Sequence, residues 1–257
     1  RVRFDTSNGG GKGGAIYHAD GSGFIRIISH DHGVGTGGGA SNNADGLIIG
    51  GSCGGCFIIN STSYHNARKG LRVQTGLSDL ADGSPVNTLI SGNLVYNNGV
   101  LDNEGGDGIG FDSVYLGGSV IGNVAFNNSD DGIDIVGGSG CVATPYNTHN
   151  VIVEDNIAFN NDPNDTLLGD GNGIKVSTKG GGNHTLRYNI VFSNDRAGYD
   201  QAICSNEPGN TFINNIAYNN TRQGGINLDA PSATYEGAAN VFNNILANND
   251  NDLKTGG

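Results

Sequence analysis

The chain has 257 residues, with 25 Asp and Glu against 13 Lys and Arg and a formal charge of −12. That balance excludes nucleic acid or an anionic membrane surface as a direct partner unless a cation mediates the contact, and no run of about 18 apolar residues is present to span a membrane. Gly is abundant at 46, Pro is scarce at 5, and Met and Trp are absent, a composition poor in helix formers, while 35% apolar content spread along the chain argues against disorder.

The length suits one sizeable core, and residues 1–257 are expected to form a single domain in which residues 1–50 are an initial coil or cap. The chain opens at Arg1 with neither Met nor a signal-like apolar segment, which suggests a processed or trimmed product. Within the glycine-rich start, "FIRIIS" (24–29) predicts one strand, and "HDH" (30–32) has a metal-like look but no third ligand, so a solvated loop is expected there. Cys53 and Cys56 stand in "CGGC", and Cys141 and Cys204 lie far apart. A structural zinc site uses two close pairs, so disulfides are the expectation, with the pairing open.

From Gly92 onward one phrase recurs: "GNLVYNN" (92–98), "GNVAFNN" (122–128), "DNIAFNN" (155–161), "YNIVFSN" (188–194), "NNIAYNN" (214–220) and "NNILANN" (243–249), with a weaker copy from Ile59. The spacing of about 26 to 33 residues is that of a repeat architecture. Each copy is too short for a helix, alternates apolar residues and ends in a doublet suited to a turn, so it reads as a short strand. A second phrase follows: "GLRV" (70–73), "GIGF" (108–111), "GIDI" (132–135), "GIKV" (173–176), "GYDQ" (198–201) and "GINL" (225–228).

Two strands per period, stacked about 4.8 Å apart, predict an all-β fold, a parallel β-helix. Neither the four-stranded blades of a propeller nor the hexapeptide rhythm of a left-handed β-helix is present. The ring residues Tyr96, Phe126, Phe159, Phe192 and Tyr218 are expected to stack inside as an aromatic ladder, and the Asn residues to satisfy backbone groups at the turns.

Aligned on its Gly, the second phrase is preceded by Lys69, Asp107, Asp131, Asn172, Ala197 and Gly224, and carries Arg72, Gly110, Asp134, Lys175, Asp200 and Asn227 two places later. Alternation points Asp134 and Lys175 outward on one face of neighbouring coils. Asp107 falls one coil from Asp131, with Asp130 in the turn beside it, so four carboxylates converge. They repel unless a cation compensates, and an all-oxygen site of this kind suits Ca²⁺. It is no known calcium loop: "DNEGGDGIGFDS" (102–113) fails the EF-hand order, and "GGDGIG" lacks the Asp of a glycine-rich nonapeptide.

The segments "DNEGGDGIGF", "NSDDGIDIV", "GNGIKV" and "RAGYDQ" resemble, in order and interval, those of the family 9 polysaccharide lyases, which are right-handed parallel β-helix solenoids of the pectate lyase kind. The resemblance covers roughly residues 60 to 220. It implies that Asp107, Asp130, Asp131 and Asp134 bind Ca²⁺ and that Lys175 is the catalytic base. It further implies a substrate-binding role for Gln201, with Asp200 and Arg196 in the same segment. The chain departs from the family at Ala202, where members carry Asn, and in its glycine-rich start.

The implied activity is β-elimination on a uronate polymer, most simply pectate, by a secreted monomer. A lysine base implies an alkaline optimum. A β-helix glycoside hydrolase would need a pair of carboxylates and leave Lys175 without a task. A non-catalytic adhesin or carbohydrate-binding β-helix, with Lys175 merely pairing with Asp134, is the remaining alternative.

Overall fold

The computed structural model describes residues 3–5, 13–34, 44–74, 86–100, 105–112, 116–136, 148–163, 169–178, 181–201, 208–228 and 239–255. Strands β1 (Arg3–Asp5), β4 (Ile28–His30), β7 (Thr62–Tyr64) and every third strand on to β25 (Ile245–Ala247) make a first sheet. The second runs from β2 (Gly14–Tyr17) through β5 (Leu47–Gly50) to β26 (Leu253–Thr255), and the third from β3 (Gly23–Ile25) through β6 (Phe57–Ile59) to β24 (Ala239–Phe242). Neighbouring strands in each sheet are parallel, and successive strands of the chain pass from sheet to sheet, so every turn of the solenoid adds one strand to each. No helix occurs among the described residues.

Each coil therefore has three strands, where sequence periodicity predicts two. In one coil these are β13 (Val124–Phe126), β14 (Ile133–Val136) and β15 (His149–Glu154). The third strand follows a connection of variable length and carries no signature glycine, so nothing ties it to a fixed place in the repeat. "FIRIIS" likewise divides into β3 and β4, because Arg26 takes a left-handed φ of 57° and turns the corner between them.

The recurring "Asn-Asn" and "Gly-Asn" doublets have a division of labour. The first residue adopts left-handed φ, as at Gly92, Asn97, Gly122, Asn127, Asp155 and Asn160, and turns the chain. The second sends its side chain inward. Asn156, fully buried, donates from Nδ2 to the carbonyls of Val120 and Asn189 Oδ1, and its own Oδ1 accepts from the backbone and side-chain amides of Asn123. Asn93, Asn123, Asn156, Asn189, Asn215 and Asn244 form one such ladder; Asn66, Asn98, Asn128, Asn161, Asn194, Asn220 and Asn249 form another. The amides saturate the corner backbone groups that a solenoid would otherwise bury without partners.

The second ladder explains the invariant start of the "Gly-apolar" phrase. A Cβ on Gly132 would stand 2.6 Å from the Gly173 carbonyl and 2.7 Å from Asn161 Nδ2. Only glycine lets the strand pass this close.

The aromatic residues do stack, but outside. His30, Tyr64, Tyr96, Phe126, Phe159 and Phe192 form a column with ring centroids 4.8 to 5.1 Å apart and nearly parallel planes. In a three-residue strand only the middle side chain faces inward, and those places are filled by Val95, Ala125, Ala158, Val191 and Ala217, all fully buried. The rings flank them on the outer face. The "HDH" segment is structural: His30 ends this column and bonds Asp31 at 2.5 Å, Asp31 also bonds His65, and His32 lies buried against Ser29. Cys53 and Cys56 form a disulfide; Cys141 and Cys204 lie outside the described residues.

Replacing Asn156 with Ala removes four buried hydrogen bonds, and is expected to destabilise the protein by about 3–5 kcal/mol, read as a lower denaturant midpoint by circular dichroism. Tyr188 holds a left-handed φ of 58° at a corner that Asp155 and Asn214 occupy in the coils on either side. Tyr188→Asn is expected to stabilise by about 1 kcal/mol in the same measurement.

Candidate active site

Along the outer face of the second sheet the strands β8 (Leu71–Gln74), β11 (Ile109–Asp112), β14, β17 (Ile174–Thr178), β20 (Ala197–Gln201) and β23 (Gly224–Leu228) place Arg72, Gly110, Asp134, Lys175, Asp200 and Asn227 in one column. Asp134 and Lys175 are thus direct neighbours in adjacent coils, as their shared frame predicts. At the turn before these strands Asp107 and Asp131 also stack, each passing its carbonyl to the glycine of the preceding coil.

In this row each acid divides its oxygens between fold and site. Asp107 Oδ1 accepts the Asp131 backbone N–H at 3.2 Å, and Asp131 Oδ1 accepts both amides of Asn172 at 2.8 and 2.9 Å. Asn172 Oδ1 in turn accepts from Ala197 N, so the row is a shorter version of the Asn ladders. The second oxygens point into the site. Asp131 Oδ2 and Asp134 Oδ1 are buried and accept no hydrogen bond. Asp130 is fixed from both sides, its oxygens accepting N–H groups of Gly105 and Asp170.

Oxygens of Asp107, Asp130 and Asp131 lie within 4.8 Å of one another, and Asp134 stands beside them on its strand. An all-carboxylate set with two orphaned buried oxygens fits a hard divalent cation. Asp107, Asp130 and Asp131, whose oxygens converge, are the ones that could hold it, with Asp134 next to them.

Lys175 faces this cluster from the next coil. Its Nζ is 3.4 Å from Asp131 Oδ2 and also pairs with Asp170, which in turn binds Arg196. Asp170 was not apparent in the sequence because it lies in a turn of irregular length, with residues 164–168 outside the description; its only sequence signal is its place two residues before Asn172. Asp200 follows Lys175 in the column and accepts from Asn227 at 2.6 Å. Gln201 is not brought to this face. It is 2% exposed, occupies the inward column of Ile135 and Val176, and accepts from Asn210.

On the opposite flank Lys69 pairs with Asp107 and lies 3.2 Å from Asp112, and Arg72 bonds both Asp112 and Asp45. Without a bound cation these groups tune one another. Burial, together with repulsion from Asp130 and Asp134, pushes the Asp107 carboxyl well above the usual range despite Lys69. Burial raises Asp131 strongly as well, and Asp134 to about 6. Burial alone would pull Lys175 down, but Asp131, Asp134 and Asp170 outweigh it and hold the ammonium charged. A cation on the carboxylates would weaken the part of that pull that comes from Asp131 and Asp134, while Asp170 keeps its contact with Lys175.

The parallel β-helix that carries these buried carboxylates and the lysine on one outer sheet face has counterparts among known proteins. A family described as "Pel9A-like, right handed beta helix region" matches residues 6–250, and the chain belongs to that family. Among solved structures it is similar to pectate lyase Pel9A, at 18% identity and a TM-score of 0.62 over 96% of this chain and 67% of that one. It is also similar to the A-module of mannuronan C-5 epimerase AlgE6 from Azotobacter vinelandii, at 17% identity and a TM-score of 0.68 over 92% of this chain and 54% of that one. A protein titled glycoside hydrolase aligns at 16% identity and a TM-score of 0.59 over 91% and 37%. The chain spans about half the length of the epimerase module. No curated protein sequence is significantly similar to it.

Because the folded pKa of Asp134, about 6, exceeds its unfolded 3.8, the folded state holds the extra proton. The cation-free protein therefore loses that contribution as pH rises through this window. At pH 8 in chelator, Asp134→Asn is expected to raise the Tm by roughly 2–6 °C, as read by differential scanning fluorimetry.

Proposed function

We propose that the protein is a calcium-dependent lyase that cleaves a uronate polymer by β-elimination. The observation that carries this reading is the juxtaposition of Lys175 with orphaned carboxylate oxygens of Asp131 and Asp134 on one outer face. A cation on Asp107, Asp130, Asp131 and Asp134 would also offset the repulsion between a protein of charge −12 and a polyanion. Bound Ca²⁺ supplies a Lewis acid for the substrate's C6 carboxylate, stabilising the charge that develops when C5 loses its proton.

The chain's own residues supply the rest. Lys175, once its ammonium has given up a proton, takes the C5 proton; the C4–O4 bond breaks, O4 leaves with the bonding pair and takes a proton from solvent, and a C4–C5 double bond remains at the new non-reducing end. Asp170, tied to both Lys175 and Arg196, positions the lysine and places a guanidinium, one-third exposed, next to it for a neighbouring sugar carboxylate. Asp200, next in the column, adds a further polar contact at this end of the groove. Gln201 supports Asn210 from inside the coil. Export and action outside the cell follow from a polymeric substrate and from the Cys53–Cys56 disulfide.

The test is ultraviolet absorbance of the unsaturated product from polygalacturonate, and from other uronate polymers, with Ca²⁺ or chelator. Absorbance should rise only with Ca²⁺, fastest at alkaline pH, and Lys175→Ala should lower kcat by about 10³-fold or more. No absorbance on any polymer, or full activity in Lys175→Ala, would sink the lyase. New reducing ends without absorbance identify a hydrolase, and solvent deuterium entering C5 without cleavage identifies an epimerase.

A further inference from the structure

Lys69 enters the acidic cluster from the side opposite Lys175. Its side chain is 4% exposed, and its ammonium is shared between Asp107 Oδ2 and Asp112 Oδ1. It reaches Asp112 only by lying across Gly110, where a Cβ would stand 2.6 Å from Lys69 Cδ and 2.9 Å from Nζ. Because Asp107 Oδ1 accepts the Asp131 N–H, Oδ2 is the oxygen Asp107 has to offer a cation, and Lys69 holds it.

We propose that Lys69 is a built-in counter-ion that competes with the divalent cation for Asp107 and shifts along the Gly110 track to Asp112 when the cation binds. This rests on the calcium reading of the same site. Two cations cannot share one carboxylate oxygen at contact distance without strong repulsion. The receiving place is already prepared: Asp112 is braced by Arg72, whose Nε is 2.6 Å from Asp112 Oδ2 and whose other arm bonds Asp45 at 3.0 Å. The shift therefore leaves no buried charge unpaired. Its consequence is a site that stays folded without metal and binds metal less tightly than four bare carboxylates would.

The experiment is isothermal titration of Ca²⁺ into wild type, Lys69→Met, Asp112→Asn and, as a charge control remote on the third sheet, Arg187→Met, with Tm in chelator read alongside. Lys69→Met is expected to bind Ca²⁺ roughly tenfold tighter and to show a lower Tm in chelator. Asp112→Asn should bind several-fold more weakly, and Arg187→Met should leave affinity unchanged. Unchanged or weaker binding by Lys69→Met, or equal tightening by Arg187→Met, overturns the proposal. If the wild type takes no Ca²⁺ and Lys69→Met does, the competition stands while the native calcium reading fails. Binding by neither overturns both.

Discussion

Two of the three corners of the coil depend on an asparagine that hydrogen-bonds its own copies in the coils before and after it. The bonds recur at 2.8 to 3.1 Å through both ladders. An amide is the side chain that can do this, because it carries donor and acceptor together and its copies are self-complementary. That requirement sets the coil-to-coil register, and the register decides what every other column will hold. Apolar columns fill the inside, rings and aliphatics cover the first sheet, and the outer face of the second sheet becomes a place where charged groups are stacked.

Stacking is benign for amides and hazardous for carboxylates. The row through Asp107, Asp131 and Asn172 keeps the ladder's side-chain-to-backbone bonds, yet spends only one oxygen of each acid on them. The remaining oxygens face one another in a buried place, which raises their proton affinity and draws cations from both sides: Lys69 from the preceding coil and Lys175 from the following one. The chemistry of the site follows from that imbalance. It is an anion cluster held by ammonium groups and ready to exchange part of that compensation for a metal.

Much of this was legible in the chain. The doublets and the glycine phrase predict a stacked parallel solenoid, and the alternation around Asp134 and Lys175 places them side by side, because a period of two and a repeated turn are local properties. Asp170 and Asp112 were not legible as site residues. Their contacts to Lys175 and Lys69 depend on turn lengths and on the empty space over Gly110, neither of which has a sequence signature. The direction of the aromatic ladder also escaped. In a strand of three residues the choice between one inward and two inward side chains is made by how near the glycine and asparagine of the next corner approach.

By itself the sequence determined the repeat, the asparagines at its turns and the meeting of Lys175 with the acid beside it in the next coil. These follow from residue types whose bonding is the same in every coil. Only the tertiary structure decided the number of sheets, the outward face of the rings and the partner of each charge. Those depend on close approach across coils, where a few tenths of an ångström separate a contact from a clash.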